Sequence, residues 1–156
     1  MNPLPSISFI IPCYNEEDNI HYSYSKINDI VQYLIKKKKI RANDNKIIYI
    51  DDGSSDKTWF NILKISEENQ LIKGIKLSSN FGHQNAILAG LHNCNTDISI
   101  SIDCDLQDNL NVIEDMIDNF AAGKDIVYGI KKSRRGDSLF KKISAKIFYY
   151  ILKKTN

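Results

Sequence analysis

Two clusters of aspartates are the residues of this sequence best suited to chemistry. The first is Asp51 with Asp52, and the second is Asp103, Asp105 and Asp108. Close carboxylates repel one another unless a cation or a hydrogen-bond donor lies between them. Because hard divalent ions prefer oxygen ligands, the clusters predict a site for Mg²⁺ or Mn²⁺.

Each cluster also has a purely structural interpretation. The run Asp52-Gly53-Ser54-Ser55 is typical of a turn followed by a helix N-cap. An Asp-x-Asp pattern after a strand is common in ordinary loops. The functional interpretation therefore depends on whether the fold brings the two clusters together.

The elements that would position these clusters follow from the hydrophobic pattern. Short β-rich runs alternate with helical patterns, which is typical of parallel α/β architecture. The predicted strands cover residues 6–12, 46–51, 72–77, 97–103 and 125–130. Both aspartate clusters follow predicted strands. Since ligands of open α/β sheets bind beyond the carboxyl ends of the strands, the clusters are expected to border one crevice.

Composition excludes several other classes of protein. A length of 156 residues suits one domain, and 42% hydrophobic with 26% charged residues indicates a soluble globular protein. The three cysteines form no CxxC pair, which favours a reduced compartment and argues against a disulfide framework or a zinc site. Neither GxGxxG nor GxxxxGK[ST] occurs, which disfavours a Rossmann dehydrogenase and a P-loop enzyme.

Charge is distributed unevenly along the chain. Residues 131–156 carry nine basic side chains against one acid, a charge of +8, so residues 1–130 carry −6 of the net +2. A helix predicted at about residues 139–152 has an apolar stripe rimmed by lysines, a pattern that suits an anionic membrane surface. An ordinary surface helix packed on its own domain is the alternative. Nucleic acid is disfavoured because the body is acidic and no aromatic side chains alternate with the charges.

Four motifs in order then resemble a known family. They are Pro12-Cys13-Tyr14-Asn15-Glu16-Glu17, Asp51-Asp52-Gly53-Ser54-Ser55-Asp56, Asn80-Phe81-Gly82-His83 and Asp103-Cys104-Asp105-Leu106-Gln107-Asp108. Together they resemble the family 2 glycosyltransferases of GT-A fold. The closest branch contains the dolichyl-phosphate mannose synthase-like and bacterial polyprenyl-phosphate glycosyltransferases. The resemblance covers about residues 6–150 and implies a mostly parallel central sheet with helices on both faces.

The resemblance assigns expected roles to particular residues. It implies a nucleotide-sugar-binding core over residues 1–130 and a basic acceptor segment over 131–156. The base and ribose pocket would comprise Pro12, Tyr14, Glu16, Asp51, Asp52 and Asp103. The metal would be held by Asp103, Asp105 and Gln107. The acceptor phosphate would be bound by Arg134, Arg135 and Ser138.

The activity implied is inverting transfer of a sugar from a nucleotide-diphosphate sugar to a polyprenyl phosphate. Two alternatives remain open: transfer to a saccharide hydroxyl, for which Asp108 is the candidate base, and an inactive donor-binding fragment. Family members continue past the point where this chain stops, so the chain is expected to be truncated. The expected location is the cytoplasmic, inner face of a membrane, with no transmembrane segment in this chain.

Overall fold

The fold is built on a parallel sheet of four strands. The structure is a computed structural model that describes residues 3–129. The strand order is β3-β2-β1-β4, and every pair of neighbours runs parallel. The strands are β1 (Ile7–Cys13), β2 (Lys46–Asp51), β3 (Ile72–Lys76) and β4 (Ile98–Ser101). The first four strands predicted from the sequence are thus confirmed, with β4 shorter than expected.

Four helices connect and follow the strands. They are α1 (Ile20–Lys36), α2 (Thr58–Glu68), α3 (His83–His92) and α4 (Val112–Ala121). The apolar stripe of α1 is buried as the 3.6-residue period predicts, with Ile27, Val31 and Leu34 at most 1% exposed. The sequence pattern predicts that α2 begins near Ser55 or Asp56, whereas it begins at Thr58.

Alternation along β1 divides the core into two layers. Ile7, Phe9 and Ile11 point to one face, where buried side chains of α1, α2 and α4 cover them. Ile10 points to the other face, where Ala86 of α3 packs against it. Helices therefore cover both faces of the sheet. This confirms the α/β fold class with a mostly parallel sheet.

Two local predictions were wrong. Residues 125–129, expected to begin a fifth strand, form no strand. The position of Trp59 and Phe60 in the first turn of a predicted helix predicts that both lie in the core, but Phe60 is 64% exposed, because adjacent helical residues point about 100° apart.

Chain contacts divide the molecule into one unit of Met1–Asp125 and a second of Ile126–Asn156. The structure describes residues 3–125 of the first unit and residues 126–129 of the second. Within that described part, no helix combines the length and apolar character needed to cross a bilayer.

Candidate functional site

The two aspartate clusters lie at the same edge of the sheet. Strand β1 is between β2 and β4, and the carboxyl ends of all three point the same way. Asp52 donates its N–H to the carbonyl of Cys13 at 2.8 Å, on the β2 side of β1. Ile102 donates to Ile10 at 3.0 Å on the other side, immediately before Asp103. The chain connections change direction on either side of β1, which is the position where open α/β sheets bind ligands.

Asp52 is buried and fully engaged with the backbone. The residue is only 3% exposed. One carboxylate oxygen accepts the N–H of Phe81 at 2.8 Å, and the other accepts the N–H of Gly82 at 2.9 Å. Charge-assisted bonds of this kind are among the stronger hydrogen bonds in proteins. Asp52 thus holds the loop that leads into α3.

Asp51 has an oxygen whose hydrogen bonding is not satisfied. The residue is 0% exposed, and its Oδ1 accepts the N–H of Ser54 at 3.1 Å. Its buried Oδ2 has no hydrogen-bond partner among the described residues. Buried polar atoms are rarely left without a partner, and an exception requires an explanation such as a bound group.

Gly53 permits close contact between two of the loops that form this edge. Its φ of +71° lies in the left-handed region, where glycine has no steric penalty. A Cβ at this position would lie 2.4 Å from the carbonyl carbon of Ser79 and 2.6 Å from the nitrogen of Asn80. The Asp-Gly-Ser run therefore allows the loop after β2 to contact the loop after β3.

The loop after β1 is joined to the loop after β2 by reciprocal hydrogen bonds. The N–H of Asn15 donates to the Ser54 hydroxyl at 2.9 Å, and the N–H of Ser55 donates back to the Asn15 side chain at 2.9 Å. The N–H of Glu16 donates to the Thr58 hydroxyl at 2.8 Å. These contacts give the first two motifs of the sequence a shared, fixed geometry.

The predicted base-pocket residues at the end of β1 and in the loop after it differ in exposure. Pro12 is buried, whereas Tyr14 is 49% exposed. The carboxylate of Glu16 accepts a hydrogen bond from the Asn19 side chain at 2.6 Å. Of these three residues, Tyr14 therefore has the side chain that is most accessible to a ligand.

A pocket of about 180 Å³ opens at this edge. It is lined by Pro12, Cys13, Tyr14, Asp52, Asn80, Gly82, His83 and Ala86. Three of the four sequence motifs thus contribute to one cavity. A larger cavity of about 390 Å³ lies between α1 and α4, and it includes neither aspartate cluster.

His83 connects this pocket to the second aspartate cluster. It is the first residue of α3, and its Nε2 lies 3.7 Å from Oδ1 of Asp103. The Asp103 side chain is 60% exposed, in contrast to Asp51 and Asp52. The fourth motif therefore lies next to the pocket formed by the other three.

The second cluster is carried by a tight turn. The N–H of Leu106 donates to the carbonyl of Asp103 at 3.1 Å, and Leu106 has a φ of +50°. Oδ1 of Asp105 accepts the N–H of Gln107 at 3.1 Å. Asp108 and Gln107 are exposed on the same loop.

The donor set suits a cation that is shared with a ligand. Asp103 and Asp105 offer the oxygen atoms that Mg²⁺ and Mn²⁺ prefer. Residues 3–129 hold no group of three or more His, Cys, Asp or Glu side chains that could complete a metal site alone. A cation at Asp103 and Asp105 would therefore need further ligands, such as phosphate oxygens or water, from a bound molecule or solvent.

Some features of this edge were not assigned by sequence reasoning. The NFGH motif identified the loop, but not that Phe81 and Gly82 bind the Asp52 carboxylate or that His83 reaches Asp103. The expected acceptor residues Arg134, Arg135 and Ser138, and the basic helix at 139–152, lie outside the described residues.

Comparison with known proteins adds independent information. The sequence model described as "Glycosyl transferase family 2" matches residues 8–156. YkoT of Bacillus subtilis (strain 168), an uncharacterized glycosyltransferase, is 42% identical over 152 residues, which are 96% of this chain and 45% of YkoT. A prophage bactoprenol glucosyl transferase homolog of Escherichia coli (strain K12) is 32% identical over 143 residues, or 92% of this chain and 44% of that protein. The chain thus spans less than half the length of these relatives.

A solved structure supports the fold. The mannosyltransferase PcManGT of Pyrobaculum calidifontis, in complex with GDP-Man and Mn²⁺, matches with a TM-score of 0.58 at 19% identity. The match covers 72% of this chain and 31% of that one. At this level of identity the likeness concerns the fold.

Proposed function

The chain belongs to glycosyl transferase family 2, and we propose that it binds a nucleotide-diphosphate sugar and a divalent cation for transfer of the sugar to a polyprenyl phosphate. One observation supports this most strongly. The two loops that carry aspartates, separated by about fifty residues of sequence, lie at one sheet edge, with His83 of the pocket 3.7 Å from Asp103. Such an edge is where ligands of open α/β sheets bind.

The nucleotide would occupy the pocket beside β1. Tyr14 offers an exposed ring; Glu16 belongs to the same loop, and Pro12 lies at the end of β1 just before it. Among the described residues Asp51 has an Oδ2 without a partner, but it is 0% exposed and does not line the pocket, whereas Asp52 lines the pocket with both oxygens bound to backbone N–H groups. Both aspartates are therefore candidates for a hydrogen bond to the donor. Ligand sites usually occupy roughly 300–1,000 Å³, so the donor would extend from this smaller pocket towards Asp103.

The cation would be held by Asp103 and Asp105, with Gln107 as a further oxygen ligand. Bound there, Mg²⁺ or Mn²⁺ would offset the negative charge that develops on the leaving diphosphate, a contribution of several kcal/mol. The exposure of Asp103 suits this role, because its carboxylate is open to a ligand that arrives from solvent.

Transfer to a lipid phosphate requires little proton chemistry. An acceptor phosphate oxygen is already anionic, so it forms the new bond to the anomeric carbon without a general base. The bond from that carbon to the diphosphate oxygen breaks, and the electron pair leaves with the nucleoside diphosphate. Attack opposite the leaving group inverts the anomeric centre. Arg134, Arg135 and Ser138 are the proposed ligands of the acceptor phosphate, since guanidinium groups match phosphate geometry.

The name of the Escherichia coli relative, a bactoprenol glucosyl transferase homolog, favours a polyprenyl acceptor. With such an acceptor the protein would work at the cytoplasmic face of a membrane. A saccharide hydroxyl acceptor would instead require a base, for which Asp108 is the candidate. In that case Asp108→Asn would abolish transfer while donor binding persisted.

Isothermal titration calorimetry tests the proposal. The full chain is titrated with UDP and with GDP, each with and without Mn²⁺. We expect one nucleotide to bind, with Mn²⁺ increasing the affinity, and Asp105→Asn to remove most of that increase. Asp29→Asn, on the exposed side of α1, is a matched control that should bind like wild type. Failure of both nucleotides to bind with Mn²⁺ present would overturn the proposal.

A further inference from the structure

Cys104 is buried between the two aspartates of the proposed metal site. It is 3% exposed, whereas the side chain of the preceding Asp103 is 60% exposed. The backbone of this segment is bonded to β1 through Ile102, and the turn that follows closes on itself through the Leu106 to Asp103 hydrogen bond. The buried side chain between the carboxylates is therefore well placed to attach the turn to the body of the domain.

The Cys104 thiol contacts a buried polar network. Its Sγ lies 3.7 Å from the hydroxyl of Ser23 on α1. The Ser23 hydroxyl lies 2.8 Å from the Tyr49 hydroxyl on β2 and donates to the carbonyl of Ile20 at 3.0 Å. Ser23 and Tyr49 are each 0% exposed. The network thus connects a loop, a helix and a central strand inside the core.

The second thiol of the network belongs to Cys13 at the end of β1. Its Sγ donates to the carbonyl of Ile11 at 3.4 Å. The neighbouring Cys104 thiol, together with burial, raises the pKa of Cys13 well above its usual value. Cys13 therefore stays protonated near neutral pH, and a protonated thiol can act as a hydrogen-bond donor.

The donors and acceptors of this network can all be satisfied at once. Tyr49 can donate to the Ser23 oxygen while Ser23 donates to Ile20. Cys104 can then donate to the second lone pair of Ser23, and Cys13 donates to Ile11. Fully satisfied buried networks of this kind favour one arrangement of the groups they connect.

We propose that Cys104 is a positioning residue, whose thiol hydrogen-bonds to Ser23 and thereby holds the turn that presents Asp103 and Asp105. This inference rests on the proposed function for its consequence in metal binding. The anchoring itself is a property of the fold. Cys104 does not contact the substrate; it acts through the two carboxylates beside it.

Amide hydrogen exchange tests the anchor without any ligand. The reporter is the N–H of Leu106, which closes the turn on Asp103. We expect Cys104→Ala to accelerate its exchange and Cys104→Ser, which keeps a hydrogen-bonding group, to restore much of the protection. Cys94→Ala is the control, since Cys94 is a half-buried thiol that packs on the opposite face of the sheet. Unchanged exchange in Cys104→Ala, or a serine variant equal to alanine, would overturn the anchor.

Nucleotide binding tests the consequence. Calorimetry with UDP or GDP compares the same three variants with and without Mn²⁺. We expect Cys104→Ala to weaken the Mn²⁺-dependent affinity about tenfold, as loss of groups that support metal ligands commonly does, and to leave metal-free binding unchanged. Equal losses with and without Mn²⁺ would contradict positioning of the metal ligands. If wild type binds no nucleotide, the proposed function fails, and the anchor is judged by Leu106 exchange alone.

Discussion

The aspartates at the two ends of the strands have different partners. The amino edge is the side of the sheet where the strands begin, and the carboxyl edge is the side where they end. At the amino edge, Asp97 accepts hydrogen bonds from the backbone and hydroxyl of Ser6 and pairs with Arg41. At the carboxyl edge, no Lys or Arg of the described residues pairs with Asp51, Asp52, Asp103 or Asp105; the side chain of His83 lies 3.7 Å from Asp103. The protein thus pairs the aspartate of its amino edge with an arginine, whereas the described residues provide no Lys or Arg partner for these four aspartates of the carboxyl edge.

The carboxyl edge itself contains two kinds of aspartate. Asp52 is buried and satisfied by backbone N–H groups, whereas Asp103 is exposed beside His83. Neighbouring acidic residues can therefore differ in purpose, one shaping the site and the other open to ligand. Substitutions at each position separate these purposes.

The largest expected effect is on stability at Asp52. Asp52→Ala would leave the N–H of Phe81 without its acceptor and the N–H of Gly82 with only the Asn80 side chain at 3.0 Å. We expect this to lower the free energy of unfolding by about 2 kcal/mol. Urea denaturation followed by circular dichroism measures the change. Asp103→Ala is the control and should stay within about 0.5 kcal/mol of wild type, as exposed positions usually do. A loss below about 1 kcal/mol for Asp52→Ala would contradict a structural role for the hydrogen bonds that Asp52 accepts from Phe81 and Gly82.

The next effect is on ligand binding at Asp103. We expect Asp103→Asn to weaken Mn²⁺-dependent nucleotide binding at least about tenfold, because loss of groups outside the direct metal ligands already costs that much. Its urea denaturation midpoint should match wild type. A variant that keeps full Mn²⁺-dependent affinity would remove Asp103 from the proposed site.

The smallest effect concerns acid stability at the amino edge. Hydrogen bonds from the backbone and side chain of Ser6, with the Arg41 guanidinium, lower the pKa of Asp97 from 3.8 to about 2. A lowered pKa means that the stabilisation is complete above pH 3.8 and is lost as the pH falls towards 2.

We therefore expect Asp97→Asn to reduce stability at neutral pH and to show a shallower decline than wild type between about pH 4 and pH 2. Asp44→Asn is the matched control, because Asp44 is a more exposed partner of the same Arg41, at 3.9 Å. Urea unfolding across this pH range provides the comparison. Equal slopes for Asp97→Asn and wild type would show that this pair does not contribute.

Much of this arrangement could be predicted from local pattern. The alternation of Ile98, Ile100 and Ile102 with serines identified β4 and its packed face, because side chains alternate along a strand. Because parallel strands end on the same side of a sheet, the pattern also predicted that the two aspartate clusters lie at one edge. Local pattern failed for residues 125–129, where apolar side chains predicted a strand that is not formed.

The details of the site depend on contacts between distant segments. Asp51 and Asp52 are adjacent, so no local pattern decides which one is satisfied by the backbone of residues 81–82. The contact of the Cys104 thiol with Ser23 likewise joins a loop to a helix far away in sequence. Such contacts depend on the order of the strands and on the packing of the helices. The periodicity of hydrophobic residues along the sequence specifies neither.

Paramagnetic broadening by Mn²⁺ tests the central claim most directly. Amide signals of the labelled full chain are recorded with Mn²⁺, alone and with the nucleoside diphosphate that binds. We expect broadening at both loops of the carboxyl edge, at Asp105 and at Gly82, with the signals of Asn45 and Asp97 at the amino edge preserved. Broadening confined to one loop, or equal at both edges, would contradict convergence of the two loops on one cation.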